Sequence, residues 1–493
     1  MSDRHLLIVG GGLAGLSAGC YARASGFRTT IVEHNLALGG VCTAWPRGPY
    51  VVDGCIHWLT GGAFTRLYEE LGILPAVPLR TIERWITYRD ARDGAEIAIT
   101  SHLDALGRDL RALGPEDELE IASLIEAAER FGDLSPPMPP QELTSVREQL
   151  HAFWEMRSAV GTILHFRKPL GVWAKEHLKS ESLQRFFTRV LPPELPALSA
   201  VMFLAYLERG WLSRPIGGTA GFRDALIATY QRLGGETILH ATVDEILVEN
   251  GRAAGVRLAD GTMLAADAVV STSSAPETVL RLLGGRYAAD ATRDRIARWK
   301  MFQPIVLASF GVDVPLTGVP AMLVVDRLAP FDVGGFTNDG LALRVCNDDA
   351  SLAPSGHAVV QAMLPTDYAW WATRGIGYEV AKENVTAIAL AQIEAAVPAM
   401  RARVRMTDIA TPLTFWSSAR SWRGAYEGWM PRGDSPFTHV SKTLPNLDGF
   451  VMAGQWVEPG GGVPTAILSG RQAAQILCAQ EQLPFASSPA ARS

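Results

Sequence analysis

The chain is short of cysteine, and its cysteines are not arranged as disulfides or metal ligands usually are. Its 493 residues include only five cysteines, Cys20, Cys42, Cys55, Cys346 and Cys478. Their number is odd, they are widely scattered, and no two of them show the short spacing of metal-binding pairs. Because disulfides persist mainly in oxidising compartments, we expect free thiols, no metal site and a cytoplasmic protein.

The sequence also lacks clustered basic residues and any apolar segment long enough to span a membrane. Its net charge is -6, with 45 Lys and Arg against 51 Asp and Glu, so we expect no nucleic-acid partner. No run of about 18 apolar residues is present. Residues 6–9 lead into glycines and not into a cleavage site, which argues against a signal peptide. The nearest approach to a long apolar run, residues 198–207, predicts a buried helix, with a membrane-surface patch as the alternative.

The composition is that of a globular protein with two cores. Hydrophobic residues make up 48% of the chain and charged residues 19%, which excludes a disordered protein. The 47 glycines are typical of an α/β protein with many tight turns. A chain of 493 residues exceeds one ordinary core, so we expect two domains.

Hydrophobic patterns predict alternating strands and helices near both ends of the chain and helices between them. A strand at 6–9, a helix at 14–25 and a strand at 29–33 make a βαβ unit. A strand at 450–453 precedes a terminal helix. Further elements are predicted as strands at 85–88, 96–99, 243–248, 254–258, 268–271, 305–312, 322–325 and 359–364 and as a helix at about 221–233.

Local signals place boundaries in the helical region. Asp93 and Gly94 are a favoured turn pair for a hairpin. Residues 101–104 resemble a capping box that opens a helix. Pro115 opens the next helix, which should stop at Gly132. The proline-rich residues 135–140 are predicted to be a short, stiff linker.

Residues 10–15 read GGGLAG and form the first motif that carries chemistry. They lie between a predicted strand and a predicted helix, where glycines permit a tight turn and let the backbone approach a pyrophosphate. The helix N-terminus then stabilises the negative charge. Glu33, at the end of the next strand, should accept hydrogen bonds from ribose hydroxyls and disfavours a 2′-phosphate. The segment therefore predicts a dinucleotide site.

Further motifs resemble one family of flavoproteins. They are the glycine pair Gly39 and Gly40, residues 52–57 (VDGCIH), residues 451–464 (VMAGQWVEPGGGVP) and residues 468–474 (LSGRQAA). Together they resemble the phytoene desaturase, carotenoid isomerase and retinol saturase family of FAD-dependent oxidoreductases, within the flavin amine oxidase superfamily. Val41 stands where the superfamily usually has arginine, and Gln455 replaces the family's usual acid. Residues 214–218, 241–246, 411–414 and 424–428 extend the resemblance over most of the chain.

The resemblance implies an α/β fold, with a discontinuous Rossmann-type FAD-binding domain and a substrate domain of mixed sheet and helical cap. We expect the FAD-binding domain to comprise residues 1–80, 215–295 and 435–493. The substrate domain should then comprise 81–214 and 296–434, with the cap at about 100–210. The cap carries no recognised motif, and it is where substrate identity is expected to lie.

The motif and the resemblance together imply a set of cofactor contacts. The amides that open the C-terminal helix are expected at the pyrimidine end of the flavin, where reduction accumulates negative charge. The residues expected to bind FAD are Gly10, Gly12, Leu13, Ala14, Gly15, Glu33, His34, Gly39, Gly40, Val41, His57, Val243, Gly454, Gln455, Gly462, Val463 and Pro464.

Catalytic and substrate residues are harder to predict, because a flavin can accept hydride while the protein positions an apolar substrate and excludes water. His57 is the candidate acid or base, with a purely structural histidine as the alternative. Trp416, Trp422 and Tyr426 are candidates for lining a tunnel for a polyene, with ordinary core positions as the alternative.

The expected function is oxidoreduction of carbon–carbon bonds in a long apolar polyene or isoprenoid, by desaturation, saturation or isomerisation. One alternative is a flavin amine oxidase, which would need a polar pocket and often a lysine near the flavin, whereas lysine is scarce here. The other is a non-catalytic protein that binds prenyl groups or lipids. An apolar substrate also suggests a peripheral membrane contact, on the inner surface, near the cap entrance. The oligomeric state is left open.

Overall fold

The computed structural model describes residues 4–131, 138–398, 400–431 and 440–492. The predicted helix end at Gly132, residues 135–137 of the predicted linker and the predicted boundary at 435 lie outside the described residues. The strands are β1 (His5–Val9), β2 (Arg28–Val32), β3 (Ala44–Arg47), β4 (Tyr50–Asp53), β5 (Leu59–Thr60), β6 (Leu79–Thr81), β7 (Arg84–Asp90), β8 (Glu96–Thr100), β9 (Leu212–Pro215), β10 (Glu236–Ile238), β11 (Val243–Glu249), β12 (Arg252–Leu258), β13 (Met263–Ala265), β14 (Ala268–Ser271), β15 (Ile305–Val312), β16 (Met322–Asp326), β17 (Phe331–Val333), β18 (Phe336–Asn338), β19 (Leu341–Cys346), β20 (Ala358–Pro365), β21 (Val404–Ala410) and β22 (Phe450–Met452). The α-helices are α1 (Leu13–Ala24), α2 (Thr65–Glu70), α3 (Leu103–Leu113), α4 (Glu118–Arg130), α5 (Val146–Glu155), α6 (Val160–Phe166), α7 (Leu170–His177), α8 (Glu181–Val190), α9 (Leu198–Glu208), α10 (Gly218–Arg232), α11 (Asp290–Arg298), α12 (Tyr368–Ala372), α13 (Tyr378–Ala396), α14 (Pro412–Ala419) and α15 (Val463–Gln480).

A parallel sheet collects strands from three distant parts of the chain. Its order is β10-β2-β1-β14-β22, and every neighbouring pair is parallel. Helices α1, α10 and α15 cover one face of this sheet, and strands β11 and β12 pack on the other, so the sheet is buried on both faces, as parallel sheets require. Helix α1 packs against α15 so closely that a Cβ added to Gly470 would lie 2.4 Å from the carbonyl oxygen of Ala14. The predicted discontinuous Rossmann-type domain is confirmed.

The second large sheet is mixed, as predicted. Its order is β21-β15-β20-β19-β16-β7-β8, and the β16–β7 pair is parallel while its other pairs are antiparallel. Alternate residues of a strand point to opposite faces, so Met322 and Val324 pack with the cap while Leu323 and Val325 pack with α13. This sheet is therefore buried on both faces.

Helices α3 to α9 form the cap and attach to the mixed sheet through ion pairs. Arg185 donates to Asp326 through Nη2 at 2.7 Å, and Arg189 donates to the same carboxylate through Nε at 2.8 Å. Tyr88 of β7 donates to Asp326 as well, at 3.0 Å. Because the Asp326 side chain is fully buried, these bonds fix α8 against the sheet.

Two local predictions differ in outcome. The hairpin around Asp93 and Gly94 is confirmed by the pairing of β7 with β8. The capping box at residues 101–104 is wrong, because α3 begins one residue later, with His102 as its N-cap and no side-chain cap bond. The amide of Ser101 instead donates to the carbonyl of Glu83 at 2.9 Å, which keeps Ser101 with the hairpin.

The predicted domain boundaries stay a prediction. Those at 80/81 and 214/215 fall inside β6 and β9, which pair with each other in a small sheet with β5. The prediction that residues 198–207 form a helix is confirmed by α9. All five cysteines are free thiols. Within the described ranges, no helix is both long and apolar enough to cross a membrane.

Candidate active site

A single cavity of about 830 Å³ runs from the edge of the parallel sheet to the cap. Its volume lies toward the upper end of the range for small-molecule pockets, which is about 300–1,000 Å³. Backbone of the glycine turns lines one end, which we call the glycine end. Apolar side chains of α9, β15 and α14 line the other, which we call the apolar end.

Two glycine turns from the first forty residues touch each other at the glycine end. The amide of Gly39 donates to the carbonyl of Gly11 at 2.9 Å, and Gly12 and Gly39 form a β-bridge. A Cβ added to Gly40 would lie 3.1 Å from the Cα of Gly12. Backbone thus meets backbone here, and the cavity wall presents amides without side chains to cover them.

Two helices begin at this end without side-chain caps. Helix α1 follows Gly12 and helix α15 follows Gly462, and neither N-cap residue makes a side-chain hydrogen bond to its helix. The first amides of a helix need partners, and the helix dipole favours a negatively charged one. Both N-termini line the same cavity. The arrangement fits a dinucleotide, with one helix start for its pyrophosphate and one for a second electronegative group.

Glu33 lies at the wall of the glycine end. Its Oε2 accepts from the amide of Gly11 at 2.7 Å, and its Oε1 accepts from the amide of Asn35 at 2.9 Å and pairs with Nδ1 of His34 at 2.8 Å. Burial opposes ionisation, but these bonds outweigh it and lower the pKa of Glu33. The same hydrogen bond raises the pKa of His34. Glu33 is therefore a fixed carboxylate at the cavity wall.

Hydrogen bonds of the C-terminal motif hold the start of α15 in position. The amide of Gly454 donates to Ser469 Oγ at 2.7 Å, so one turn of α15 holds the loop that leaves β22. Arg471 donates to Glu70 at 2.9 Å, and Tyr21 donates to the same carboxylate oxygen at 2.7 Å. These bonds tie α15 to α2 and α1, which positions both helix starts relative to each other.

Asp53 connects the glycine end to the mixed sheet. Its carboxylate accepts from the amide of Thr219 at 3.0 Å and pairs with Arg344 at 3.4 Å. Its carbonyl oxygen accepts from Gln361 at 3.0 Å. Burial opposes ionisation of Asp53, but Arg344 and Thr219 outweigh it and lower its pKa. This buried pair joins residues from both expected domains.

His57 lines the cavity but is poorly suited to proton transfer. The residue is partly exposed, but its Nε2 is buried and has no hydrogen-bond partner among the described residues. Burial, reinforced by Arg344, lowers the pKa of His57 to about 3. The imidazole is therefore neutral near pH 7 and too weak a base to take a proton readily. Its predicted contact with the cofactor stays a prediction.

The structure brings nearly all predicted cofactor residues to this one cavity. Those that line it are Gly10, Gly12, Leu13, Ala14, Glu33, His34, Gly39, Gly40, Val41, His57, Val243, Gly454, Gln455, Gly462, Val463 and Pro464. Gly15 lies outside the lining, and a Cβ there would come 2.1 Å from the carbonyl oxygen of Gly10. Its role is therefore close packing of α1 on the turn.

Of the three aromatic candidates, Trp416 and Tyr426 line the cavity and Trp422 does not. The prediction for Trp422 is corrected because its side chain packs beside Trp429 and Trp456, in a separate cluster. Spacing along the chain could not separate these residues, since Trp422 lies in a short 3-10 turn after α14 that the sequence pattern does not reveal.

Sequence reasoning missed the residues of the apolar end. Helix α9 contributes Leu198, Met202, Phe203 and Tyr206 to the lining. The Phe203 ring lies 6.0 Å from that of Trp58, in an edge-to-face contact. The sequence carried one signal for these residues, because the helix predicted at 198–207 is apolar on every side. Such a helix can contact the core with one face and an apolar cavity with the other. Leu191, Leu195, Phe302, Ile305, Leu307 and Phe415 complete this end.

Comparisons with known proteins agree with this geometry. The family model described as flavin containing amine oxidoreductase matches residues 13–478. A neurosporene-forming phytoene desaturase of Rhodobacter capsulatus is 26% identical, over 96% of this chain and 93% of the relative. A chloroplastic prolycopene isomerase of Arabidopsis thaliana is 22% identical, over 96% of this chain and 81% of the relative.

Solved structures show the same fold at lower identity. An oxidoreductase from Methanosarcina mazei matches with a TM-score of 0.63 and 19% identity, over 96% of this chain and 100% of that one. Cyclohexylamine oxidase from Brevibacterium oxydans matches with a TM-score of 0.60 and 16% identity, over 98% of this chain and 100% of that one. At such identities the likeness concerns the fold alone.

Proposed function

Because the chain belongs to the family of flavin-containing amine oxidoreductases, it is an FAD-dependent oxidoreductase, and we propose that it acts on carbon–carbon bonds of a long apolar polyene or isoprenoid. The observation that carries the proposal is the continuity of the glycine end with an apolar end inside one cavity. The names of the relatives, which are carotenoid desaturases and an isomerase, support the same substrate class.

The residues at the glycine end fit FAD. The open amides at the start of α1 would hold the pyrophosphate, and Glu33 would accept from the ribose hydroxyls. The open amides at the start of α15 would face the pyrimidine ring. Bound FAD supplies hydride acceptance or donation. Gln455, which lines the cavity beside Gly454, can still accept a hydrogen bond from a ribityl hydroxyl although it carries no charge.

The apolar end fits the hydrocarbon chain of a substrate. Leu198, Met202 and Phe203 present carbon atoms to the cavity, and burial of apolar surface contributes roughly 25 cal/mol per Å² to binding before entropic costs are subtracted. Substrate in this end would exclude water from the reacting carbons. These residues would bind and orient a hydrocarbon chain that has no polar group to anchor it. The shape of the cavity would therefore determine which part of the substrate lies at the reacting position.

The amine oxidase alternative has one observation in its favour, a carboxyl group in the cavity that an ammonium group could pair with. Glu427 lines the cavity and has no ion-pair partner within the described part of the chain. Among the described residues, however, no lysine lines this cavity. The non-catalytic alternative is set aside by membership in a family of oxidoreductases.

An anaerobic product assay tests the proposed function. FAD-loaded protein, oxidised in one series and reduced in another, is incubated with acyclic carotenoids of graded saturation, and the products are separated by chromatography. We expect products that differ by two hydrogens or by the geometry of a double bond. A parallel series with polyamines and cyclic amines measures peroxide. Peroxide release from amines, with no polyene product, would show that the protein is a flavin amine oxidase.

We also propose a peripheral membrane contact through α5. The side chains of Val146, Leu150 and Trp154 are 72%, 64% and 62% exposed. Their spacing of four residues places them on one helix face. The guanidinium of Arg157 lies 3.7 Å from the centre of a Trp154 ring, and a tryptophan beside a cation is typical of interfacial helices. Such a face would bring the cap to the lipid that dissolves an apolar substrate.

Vesicle flotation tests this contact. We expect the wild-type protein to float with vesicles of anionic and zwitterionic phospholipid and the double variant Leu150→Ser, Trp154→Ser to float much less. The matched control is Ile376→Ser with Val380→Ser, which also removes two exposed apolar side chains and should float like wild type. Equal flotation of all three proteins, or none by wild type, would contradict the proposal.

A further inference from the structure

The segment 426–428 lies at the border between the glycine end and the apolar end. On one side, a Cβ added to Gly428 would come 2.5 Å from the carbonyl oxygen of Gln455. On the other side, the carbonyl oxygen of Gly428 accepts from the amide of Phe302 at 3.2 Å. Gln455 belongs to the glycine end and Phe302 to the apolar end. Glu427 therefore stands where cofactor and substrate would meet.

The Glu427 side chain touches the glycine turn that precedes α15. A Cβ added to Gly461 would lie 3.1 Å from Glu427 Oε2 and 3.2 Å from its Cβ. Gly461 has a φ of +64°, so the turn already requires glycine there, and the contact explains why no side chain fits. The carboxyl group of Glu427 is thereby held next to the open amides of the helix start and lines the cavity.

Glu427 differs from the other carboxyl groups that line the cavity. Glu33 accepts from two amides, and Glu277 pairs with Arg281 at 2.5 Å. Glu427 has no hydrogen bond or ion pair to any residue that the structure describes. A carboxyl group in a pocket without a partner is costly to ionise. Its part-exposed surface faces a cavity that the ligands would fill.

The surroundings of Glu427 determine its charge. Burial raises the pKa of Glu427 to about 8. Tyr426, the neighbour in sequence, also lines the cavity, and its pKa is raised by burial and by the charge of Glu427. Arg420 lines the same cavity, and no described residue pairs with Glu427. The carboxyl group is consequently protonated near neutral pH.

We propose that Glu427 is the proton-transferring catalytic residue of this enzyme, giving a proton to or taking one from a substrate carbon at the border of the two ends. The proposal rests on the proposed function. In saturation, the carboxyl proton would bond to one alkene carbon while bound reduced flavin would supply hydride to the adjacent one, and water would then reprotonate the carboxylate. In desaturation, the ionised form of Glu427 would take a proton from one carbon while bound oxidised flavin would accept hydride from the adjacent one, which leaves the double bond. Atoms and electrons balance in both directions.

The test compares FAD-loaded wild type with Glu427→Gln, which keeps the shape and removes the transferable proton, and with Glu427→Asp, which keeps an acid. We expect both variants to bind FAD. The single-turnover rate with polyene at pH 7 should fall by about 100-fold or more in Glu427→Gln and recover in part in Glu427→Asp. In wild type, the rate of saturation should fall above about pH 8 and the rate of desaturation should rise as the pH approaches 8, and neither change should appear in Glu427→Gln. The control Glu96→Gln removes an exposed carboxyl group paired with Arg89 and should match wild type.

A readout without substrate separates this proposal from the proposed function. The visible absorbance of bound FAD, followed from pH 6 to 10, should shift with a midpoint near 8 in wild type and not in Glu427→Gln. Equal rates and pH profiles in wild type and Glu427→Gln would overturn the assignment. If wild type converts no polyene, the proposed function fails, and absence of the spectral transition in wild type would overturn the assignment of Glu427 independently.

Discussion

The two ends of the cavity differ in what forms their walls, which is backbone at the glycine end and side chains at the apolar end. At the glycine end the wall is backbone, and an added Cβ at Gly10 in the wall, or at Gly11 or Gly15 in the turn behind it, would come within 2.1–2.6 Å of a neighbouring atom. At the apolar end the wall consists of side chains from α9, β15 and α14. Backbone cannot be exchanged by mutation, whereas a side chain can be shortened. The glycine end should therefore be intolerant of substitution and the apolar end adjustable.

Gly15→Val gives the largest expected effect and tests the intolerance directly. The added side chain would meet the carbonyl oxygen of Gly10 at 2.1 Å, so α1 must separate from the turn. We expect loss of the visible flavin absorbance and a protein that is largely misfolded. The control is Gly161→Ala in α6, which meets nothing within 4 Å and should stabilise slightly, by about 0.5–1 kcal/mol. Normal flavin content in Gly15→Val would show that the glycine end tolerates a side chain, which contradicts the expected difference between the two ends.

Asp53→Asn tests whether the two ends are held together by the buried pair. Removing one partner of such a pair leaves Arg344 buried and uncompensated, which costs about 3–5 kcal/mol. Denaturant unfolding should show this loss. Because the pKa of Asp53 is lowered on folding, its contribution in wild type should be present above about pH 4 and vanish on further acidification. Asp348→Asn, in an exposed pair with Arg80, should change stability little.

Glu33→Ala should affect the glycine end without unfolding it. Loss of a charged hydrogen-bond acceptor of about 1.5–3 kcal/mol corresponds to FAD binding that is about 10- to 100-fold weaker. Equilibrium titration of apoprotein with FAD measures this loss. Glu249→Ala, at an exposed position at the end of β11, serves as the control. Unchanged affinity in Glu33→Ala would mean that the ribose lies elsewhere.

Phe203→Ala gives the smallest expected effect and tests whether the apolar end can be altered without affecting the glycine end. The phenyl ring lines the apolar end and packs on Trp85 with ring centres 4.8 Å apart. Removing it should raise KM for a polyene by about two- to tenfold, since an aromatic contact contributes roughly 0.5–1.5 kcal/mol, and should leave FAD content unchanged. Phe331→Ala, outside the cavity lining, should leave both unchanged. A loss of FAD in Phe203→Ala would show that the two ends are not separable.

The glycine end could be predicted because its chemistry depends on particular residues at fixed spacing. Close approach of backbone requires Gly10, Gly12 and Gly39, and a terminal acid such as Glu33 marks the ribose site. The parallel sheet followed from the same motif, since a strand, a turn and a helix in register form a βαβ unit.

The apolar end could not be predicted in the same way. Helix α9 is apolar on every side, so its sequence does not say which face meets a cavity. The pair of Asp53 with Arg344 joins residues that are 291 positions apart, and no local pattern connects them. The raised pKa of Glu427 results from burial in the folded protein. These features arise from tertiary packing, which a single sequence does not display.

The structure of the FAD-bound protein with an unreactive polyene tests the central claim most directly. We predict FAD with its pyrophosphate at the start of α1 and its pyrimidine ring at the start of α15. The polyene should lie against Phe203 and Trp58 and reach Glu427. Polyene bound in a separate groove, or FAD that extends into the apolar end and fills it, would contradict the claim that one cavity serves both.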